Sequence, residues 1–139
     1  MLEAISGKEI AVSGLRAQRT RMNLIANNIA NALTPTTAKG GAFRRQVAIL
    51  SGEGVKNGIR PDKLGVRVEK VMSDPSPFRQ VYEPGNPYAN ENGMVEYPNI
   101  DLSVEMADLV SAQRAYEANI AVVVSSRRMS QKALEIIQA

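Results

Sequence analysis

Residues 99–139 read NIDLSVEMADLVSAQRAYEANIAVVVSSRRMSQKALEIIQA and contain neither glycine nor proline. Because those two residues are the strongest breakers of local structure, the stretch predicts one uninterrupted helix. Asp101 stands where a side chain can cap the helix start, and Glu105 follows in the first turn. Three basic residues lie near the C-terminal end, and we expect them to offset the negative pole of the helix dipole there: Arg127, Arg128 and Lys132.

The apolar residues of this helix point in several directions. Met106, Ile120 and Leu134 fall on one line of the helix, which Gln113 and Arg127 interrupt. A second line runs beside it through Leu102, Leu109, Tyr116, Val123 and Ile137. A single partner helix covers one stripe only, so we expect other protein chains to cover the rest.

A second amphipathic helix occupies the start of the chain. Leu15, Met22 and Ile29 recur at seven-residue spacing, close to the coiled-coil period, and Thr34 before proline ends the helix. The two helices should measure roughly 45 and 55 Å, whereas a compact chain of this length has a radius of gyration of about 14 Å. The helices are therefore predicted to pair as an antiparallel, coiled-coil-like hairpin.

The middle of the chain is irregular, since residues 34–98 hold all seven prolines and eight of the ten glycines. Two strand-like runs, 43–50 and 65–72, predict a β-hairpin, and in the second run Val71 is out of step with the preceding valines. Five prolines between Asp74 and Pro98 predict an extended, turn-rich arm with few ladder hydrogen bonds.

The predicted fold class is therefore mainly α with a small β part. Residues 1–34 form the N-terminal helix of a core domain, 35–98 the β-hairpin and Pro-rich arm, and 99–139 the C-terminal helix of the same core domain. The chain has 139 residues, which is enough for one modest core.

The composition argues against an enzyme. Neither Cys nor His is present, which removes thiolate nucleophiles, Cys-based metal sites and the commonest general base. Two Phe, four Tyr and no Trp offer little lining for a ligand pocket. The carboxylates of Asp74, Glu83, Asp101 and Glu105 are not accompanied by a nucleophile or a phosphate loop. We expect no catalytic residue, no cofactor and no metal.

Charge and hydropathy exclude two further classes of partner. The net charge of +3 is small, and the adjacent basic pairs at 44–45 and 127–128 lie far apart, so nucleic-acid binding is not expected. No apolar run is long enough to span a bilayer, so we expect no direct membrane insertion. Glu3, Lys8 and Glu9 interrupt the N-terminal segment, so a cleaved secretory signal is not expected either.

Several segments of the chain resemble one family. Residues 26–35 read ANNIANALTP, 40–46 read GGAFRRQ, 74–87 read DPSPFRQVYEPGNP, and 112–119 read AQRAYEAN. The series resembles the flagellar basal-body rod protein family over nearly the whole chain, and within it the short proximal-rod members.

The resemblance implies a structural subunit that assembles helically with copies of itself and with other rod proteins. Members are exported by the flagellar type III apparatus and pair their terminal helices in an inner tube. The rod lies in the basal body, spans the periplasmic space and serves motility as drive shaft and export channel. The alternative function is a soluble helical adaptor or secretion chaperone that binds a single protein partner.

Individual residues keep two interpretations each. Asn27, Asn28 and Asn31 either fix the register of neighbouring helices or belong to a solvated helix end. Phe43 and Val47 fit a loose pattern that resembles an export-recognition element, but an alternating strand also explains them.

We expect subunit contacts along both helices and the arm. The expected subunit-interface residues are Leu15, Met22, Ile25, Asn28, Ile29, Asn31, Phe78, Tyr82, Met106, Leu109, Gln113, Tyr116, Ile120, Val123 and Val124.

Overall fold

The computed structural model describes residues 7–37, 40–53 and 65–138. Within these ranges the elements follow in the order α1 (Gly7–Ala30), β1 (Gln46–Glu53), β2 (Gly65–Ser73), β3 (Arg79–Tyr82), β4 (Met94–Tyr97) and α2 (Leu102–Gln138). The strands form two separate antiparallel pairs, β1–β2 and β3–β4. The predicted fold class, mainly α with a small β part, is confirmed.

The two helices pack side by side in opposite directions. Gly14 of α1 lies against Asn119 of α2, whereas Asn28, further along α1, contacts Glu105, nearer the start of α2. The predicted antiparallel pairing is therefore confirmed. The apolar side chains buried on α1 and α2 are mostly small, and these are Ala11, Ala17, Ile25 and Ala112. Small side chains at the contact let two helices approach closely.

The two ends of α2 differ in how well they are capped. The Asp101 carboxylate accepts hydrogen bonds from the backbone N–H groups of Ser103 (2.8 Å) and Val104 (3.4 Å), which confirms the predicted cap. The last turn contains no basic residue, so the expected compensation of the dipole at that end is wrong. α2 continues past Lys132, whose ammonium forms an ion pair with Glu135 (2.8 Å).

The β1–β2 hairpin contains a bulge that explains its valine pattern. The register shifts between Ile49 and Leu50, which leaves Glu69 on β2 without a partner. One extra residue reverses the alternation of side chains that follows it. Val71 is therefore out of step with Val68, as the sequence shows. The connection between these strands, with its glycines and Pro61, lies outside the described residues.

The hairpin is tied to α1 at both of its ends. The backbone N–H of Val66 in β2 donates to the Ser13 hydroxyl (3.0 Å), and the N–H of Gln46, the first residue of β1, donates to the Asn28 side-chain oxygen (2.9 Å). Just before β1, the N–H of Phe43 donates to the carbonyl of Thr34, which follows α1 (3.2 Å). Because Phe43 bonds to the chain that leaves α1, β1 begins at Gln46, three residues later than predicted.

The arm contains a short hairpin that the sequence analysis did not predict. β3 and β4 have four residues each, and Val95 of β4 is fully buried. Turn chemistry explains the pairing, because Gly93 has a φ of 71° and the Asn90 side-chain oxygen accepts the N–H groups of Asn92 (2.9 Å) and Met94 (3.0 Å). The turn-rich stretch therefore folds back on itself here.

The close contact between the helices leads to a packing prediction. A Cβ atom at Gly14 would lie 2.9 Å from the Asn119 side-chain nitrogen. We expect Gly14→Leu to lower the free energy of unfolding by about 2 kcal/mol, because an overpacked seam forces its neighbours to shift. Urea unfolding followed by far-UV circular dichroism measures the change.

Gly7→Leu is the matched control in the same helix. Among the residues that the structure describes, nothing lies within 4 Å of the place that a Cβ would take at Gly7. We expect this variant to stay within about 0.5 kcal/mol of the wild type. Equal losses of stability in the two variants would contradict the packing argument.

Candidate assembly surface

α2 carries exposed apolar side chains on both sides of its contact with α1. Glu105, Ala112 and Asn119 recur every seven residues and face α1. Flank A, on one side of this line, consists of Leu102, Met106, Ile120 and Val124, all exposed. Flank B, on the other side, consists of Val104, Val122, Met129 and Ile136, also exposed. α2 is thus apolar on both flanks, and α1 covers neither.

The end of α2 continues beyond the described start of α1. Because Gly14 lies against Asn119 in an antiparallel pair, Gly7 is level with about residue 126 of α2. We call residues 127–138 the overhang, and its side chains up to Ile137 are exposed. Among the described residues no other element packs along the overhang, and a helix without such packing has little to stabilise it in water.

A buried polar cluster, which we call the clasp, joins both helices to the start of β1. Its centre consists of Asn28 and Glu105, each 1% exposed, and of Arg45. The Asn28 amide nitrogen donates to Glu105 Oε2 (3.1 Å) and to the Gln46 carbonyl (2.9 Å). The Asn28 side-chain oxygen accepts the Gln46 N–H (2.9 Å). The Asn28 side chain thereby bonds both the N–H and the carbonyl of Gln46, the first residue of β1.

The Glu105 carboxylate is neutralised by a short ion pair. Arg45 Nε donates to Glu105 Oε1 at 2.6 Å. The same guanidinium lies 3.7 Å from an Asp108 oxygen and 4.0 Å from an Asp74 oxygen. Arg21 of α1 reaches Asp108 from the other side at 3.4 Å. Arg45 therefore links α2 to the first residues of the arm.

Where the arm begins, Asp74 and Arg44 fold it into a tight corner. The hydroxyl and the backbone N–H of Ser76 donate to Asp74 (2.5 and 2.9 Å), which lowers the pKa of that carboxyl, with a smaller contribution from Arg45. The Arg44 guanidinium donates to the carbonyls of Asp74 and Ser76, both at 3.2 Å. It also lies over the Phe78 ring, 4.2 Å from the ring centre.

The four carboxylates that the sequence analysis considered all have structural partners. Asp101 caps α2, Asp74 closes the corner of the arm, and Glu105 lies in the clasp. Glu83 accepts hydrogen bonds from the Tyr97 hydroxyl (3.1 Å) and the Asn86 amide (2.8 Å). Burial, followed by the bond to Glu83, raises the pKa of Tyr97. In the part of the chain that is described, no three acidic side chains gather as ligands for a metal ion.

The residues that the sequence nominated for subunit contacts fall into three groups by exposure. Ile25 and Asn28 are buried inside the chain itself. Leu15, Met22, Ile29, Asn31, Phe78, Leu109, Tyr116 and Val123 are half-buried. The exposed ones are Tyr82, Met106, Gln113, Ile120 and Val124. The structure brings Met106, Ile120 and Val124 together on flank A.

The polar candidates bond locally. The Asn31 amide nitrogen donates to the carbonyl and the side-chain oxygen of Asn27, both at 2.9 Å. The Gln113 amide donates to Glu117 one turn later (3.0 Å). Asn28 does fix register, but between elements of one chain. A role between chains stays a prediction for Asn31 and Gln113.

Flank B was missed by the sequence analysis. The sequence does contain the pattern that predicts this flank. Small or apolar residues recur there every seven positions, first as Val104, Ser111 and Ala118 and then as Val122, Met129 and Ile136. Several of these side chains are small, which makes the stripe less visible than the large residues of flank A.

Among the helices described, none is both long enough and apolar enough to cross a membrane.

Comparisons with known proteins point to one family. A family model described as "Flagella basal body rod protein" matches residues 9–35, and one described as "Flagellar basal body rod FlgEFG protein C-terminal" matches residues 91–136. The chain is 42% identical to a flagellar basal-body rod protein FlgC of Borreliella burgdorferi, over 96% of this chain and 97% of the relative. The corresponding protein of Salmonella typhimurium is 38% identical over 94% and 95%. That of Bacillus subtilis is 35% identical over 97% and 99%.

The clasp leads to a prediction for stability. Asn28→Ala removes three hydrogen bonds and leaves Glu105 with one partner fewer. We expect a loss of about 3 kcal/mol in the free energy of unfolding, because buried polar groups lose their partners. Asn27→Ala is the matched control on the exposed side of the same turn, with an expected change within about 0.5 kcal/mol. Equal effects would count against the clasp.

Asp74 leads to a prediction for acid stability. Because its pKa is lowered in the folded chain, it stabilises the fold above its ordinary pKa of 3.8, and this contribution disappears as the pH falls below that value. Asp74→Asn should therefore be less stable than the wild type at neutral pH, and the difference should shrink toward pH values of about 2. Urea unfolding at a series of pH values measures it. A difference that is independent of pH would contradict this assignment.

Proposed function

The chain belongs to the FlgC family of flagellar basal-body rod proteins, and from that membership we propose how it is built into the rod. It is a structural subunit of the flagellar basal-body rod, not an enzyme, and it assembles with other rod proteins. Similarity over nearly the full length of each relative favours this function over that of a soluble adaptor.

We propose that subunits join by mutual burial of the two flanks of α2. The observation that carries the proposal is that α2 has exposed apolar residues on both sides of α1. Flank A presents Met106 and Ile120, whereas the middle of flank B presents Val122 beside Ala118. Large side chains of one helix fit between smaller ones of the next, so two different faces meet and the contact can repeat from subunit to subunit.

Four more residues nominated from the sequence belong to the same proposal. Leu109, Tyr116 and Val123 lie between flank A and the α1 seam, so a neighbouring helix on flank A would reach them. Tyr82 of the arm is 68% exposed and is available to a neighbour that lies against β3. Residues 35–98 would then form the outer part of the subunit, and α1 with α2 its core.

We further propose that the polar side of α2 faces an aqueous channel. On the side opposite α1, Arg114, Ala121, Arg128 and Glu135 recur every seven residues and form a charged line, which the exposed Val110 and Val124 border. Charged side chains of both signs along this line suit a passage for unfolded chains, because they offer no large apolar patch to hold them. Copies of this chain, related rod proteins and the flagellar type III export apparatus are the partners in this proposal.

A charge on either flank tests the assembly contact. We predict that Ile120→Asp and Val122→Asp each abolish swimming and remove the chain from purified basal bodies, because each buries an unpaired carboxylate. Both are to be expressed at native level in a strain that lacks the wild-type gene. Halo diameter in soft agar and immunoblots of basal bodies measure the two effects.

Ala121→Asp is the matched control, since it adds the same charge between the two test positions on the polar side of α2. We expect it to swim and to assemble as the wild type does. Normal motility in both flank variants would refute the proposed contact. Failure of all three variants would show that α2 tolerates no added charge and would refute the assignment of sides.

A further inference from the structure

An open groove lies at the end of the molecule where α2 begins. Its volume is about 390 Å³, and its apolar lining comes from Leu33, Ile100 and Leu102. Leu33 follows α1 and is 67% exposed. Arg79 contributes a positive charge, and Asp101 contributes a carboxylate that is already bonded to the first N–H groups of α2. The groove therefore offers aliphatic contacts and a cation beside the positive end of a helix dipole.

The opposite end of the molecule has complementary chemistry. In the last turns of α2, Leu134, Ile136 and Ile137 are 58%, 76% and 79% exposed. The final turn contains no basic residue, so its free carbonyl groups and the negative end of the dipole are not compensated by a cation. This end therefore presents aliphatic side chains around a negative pole.

We propose that the groove receives the C-terminal end of such a helix from the subunit that follows along the rod axis. Leu33, Ile100 and Leu102 would cover the aliphatic side chains, and Arg79 would lie near the uncompensated carbonyl groups. The positive end of one α2 then meets the negative end of the next. This inference rests on the proposed function, because it requires a neighbour placed end to end.

The occupant comes from another chain. α2 has 37 residues, so its end lies about 55 Å from the groove at its own start. The occupant is therefore the end of α2 of a second copy of this chain, because that end carries the exposed aliphatic side chains and the uncompensated negative pole that the groove complements.

Photo-crosslinking in assembled basal bodies tests the contact. Leu33→p-benzoylphenylalanine places a crosslinker in the groove, at a position exposed enough to accept it. After irradiation, basal bodies are purified and the crosslinked peptides are identified by mass spectrometry. We expect a product that joins residue 33 to the last 15 or so residues of a second copy of this chain, and a product with a related rod protein instead would count against this occupant. A product with any other segment, or none in basal bodies that contain the variant, would overturn the inference.

Tyr88→p-benzoylphenylalanine is the matched control, since Tyr88 is 56% exposed but does not line the groove. It should give no product with a C-terminal peptide, and such a product would show that the crosslink is not specific to the groove. Absence of the wild-type chain from basal bodies would refute the proposed function itself. The two failures are thus distinguishable.

A charge change supplies a second, independent readout. Arg79→Glu places a negative charge at the negative pole of the incoming helix, and we expect at least a tenfold loss of the residue 33 crosslink. Arg79→Lys keeps the charge and should retain most of the product, although it loses the contact of the guanidinium with the Tyr97 ring at 6.0 Å. An undiminished crosslink in Arg79→Glu would overturn the electrostatic part of the proposal, and with it the orientation of the helix.

Discussion

The carboxylate of Glu105 is the group on which the arrangement of the chain depends. A buried charge without partners costs several kcal/mol, so Asn28 and Arg45 must both be in place when α2 packs against α1. Asn28 sets the register of the two helices, and Arg45 sets the point where the chain turns into β1. One ionised group thereby aligns three elements that the chain brings together from positions far apart.

The apolar contacts between the two helices supply less stabilisation than the length of the helices suggests. The side chains buried at this seam are mainly alanines, each of which removes little area from water. A buried ion pair adds more to the choice of one arrangement than to net stability. The larger aliphatic side chains of α2 lie outside this seam and are exposed in the single chain. In the proposed assembly, burial of these side chains against neighbours would stabilise the helix further.

The sequence was sufficient for the elements that depend on local chemistry. A run without glycine or proline predicted α2. The break in alternation at Val71 is visible in the sequence, and the bulge at Glu69 accounts for it. The clasp could not be predicted, because Arg45 and Glu105 lie 60 residues apart and periodicity says nothing of polar partners at such distance. The β3–β4 hairpin was missed because five prolines outweighed the turn signal of Asn90 and Gly93. Contacts with related rod proteins depend also on the surfaces of those proteins, which this sequence does not encode.

The overhang of α2 also bears on the fate of a subunit that is not built into the rod. Among the described residues no element packs along this helix end, and its isoleucines are exposed, so it opens at little cost in free energy and becomes accessible to proteases. Once the segment is covered, the same residues are withdrawn from proteolysis. We therefore expect unassembled copies to be degraded faster than assembled ones, which would tie the amount of the protein to the number of rods under construction.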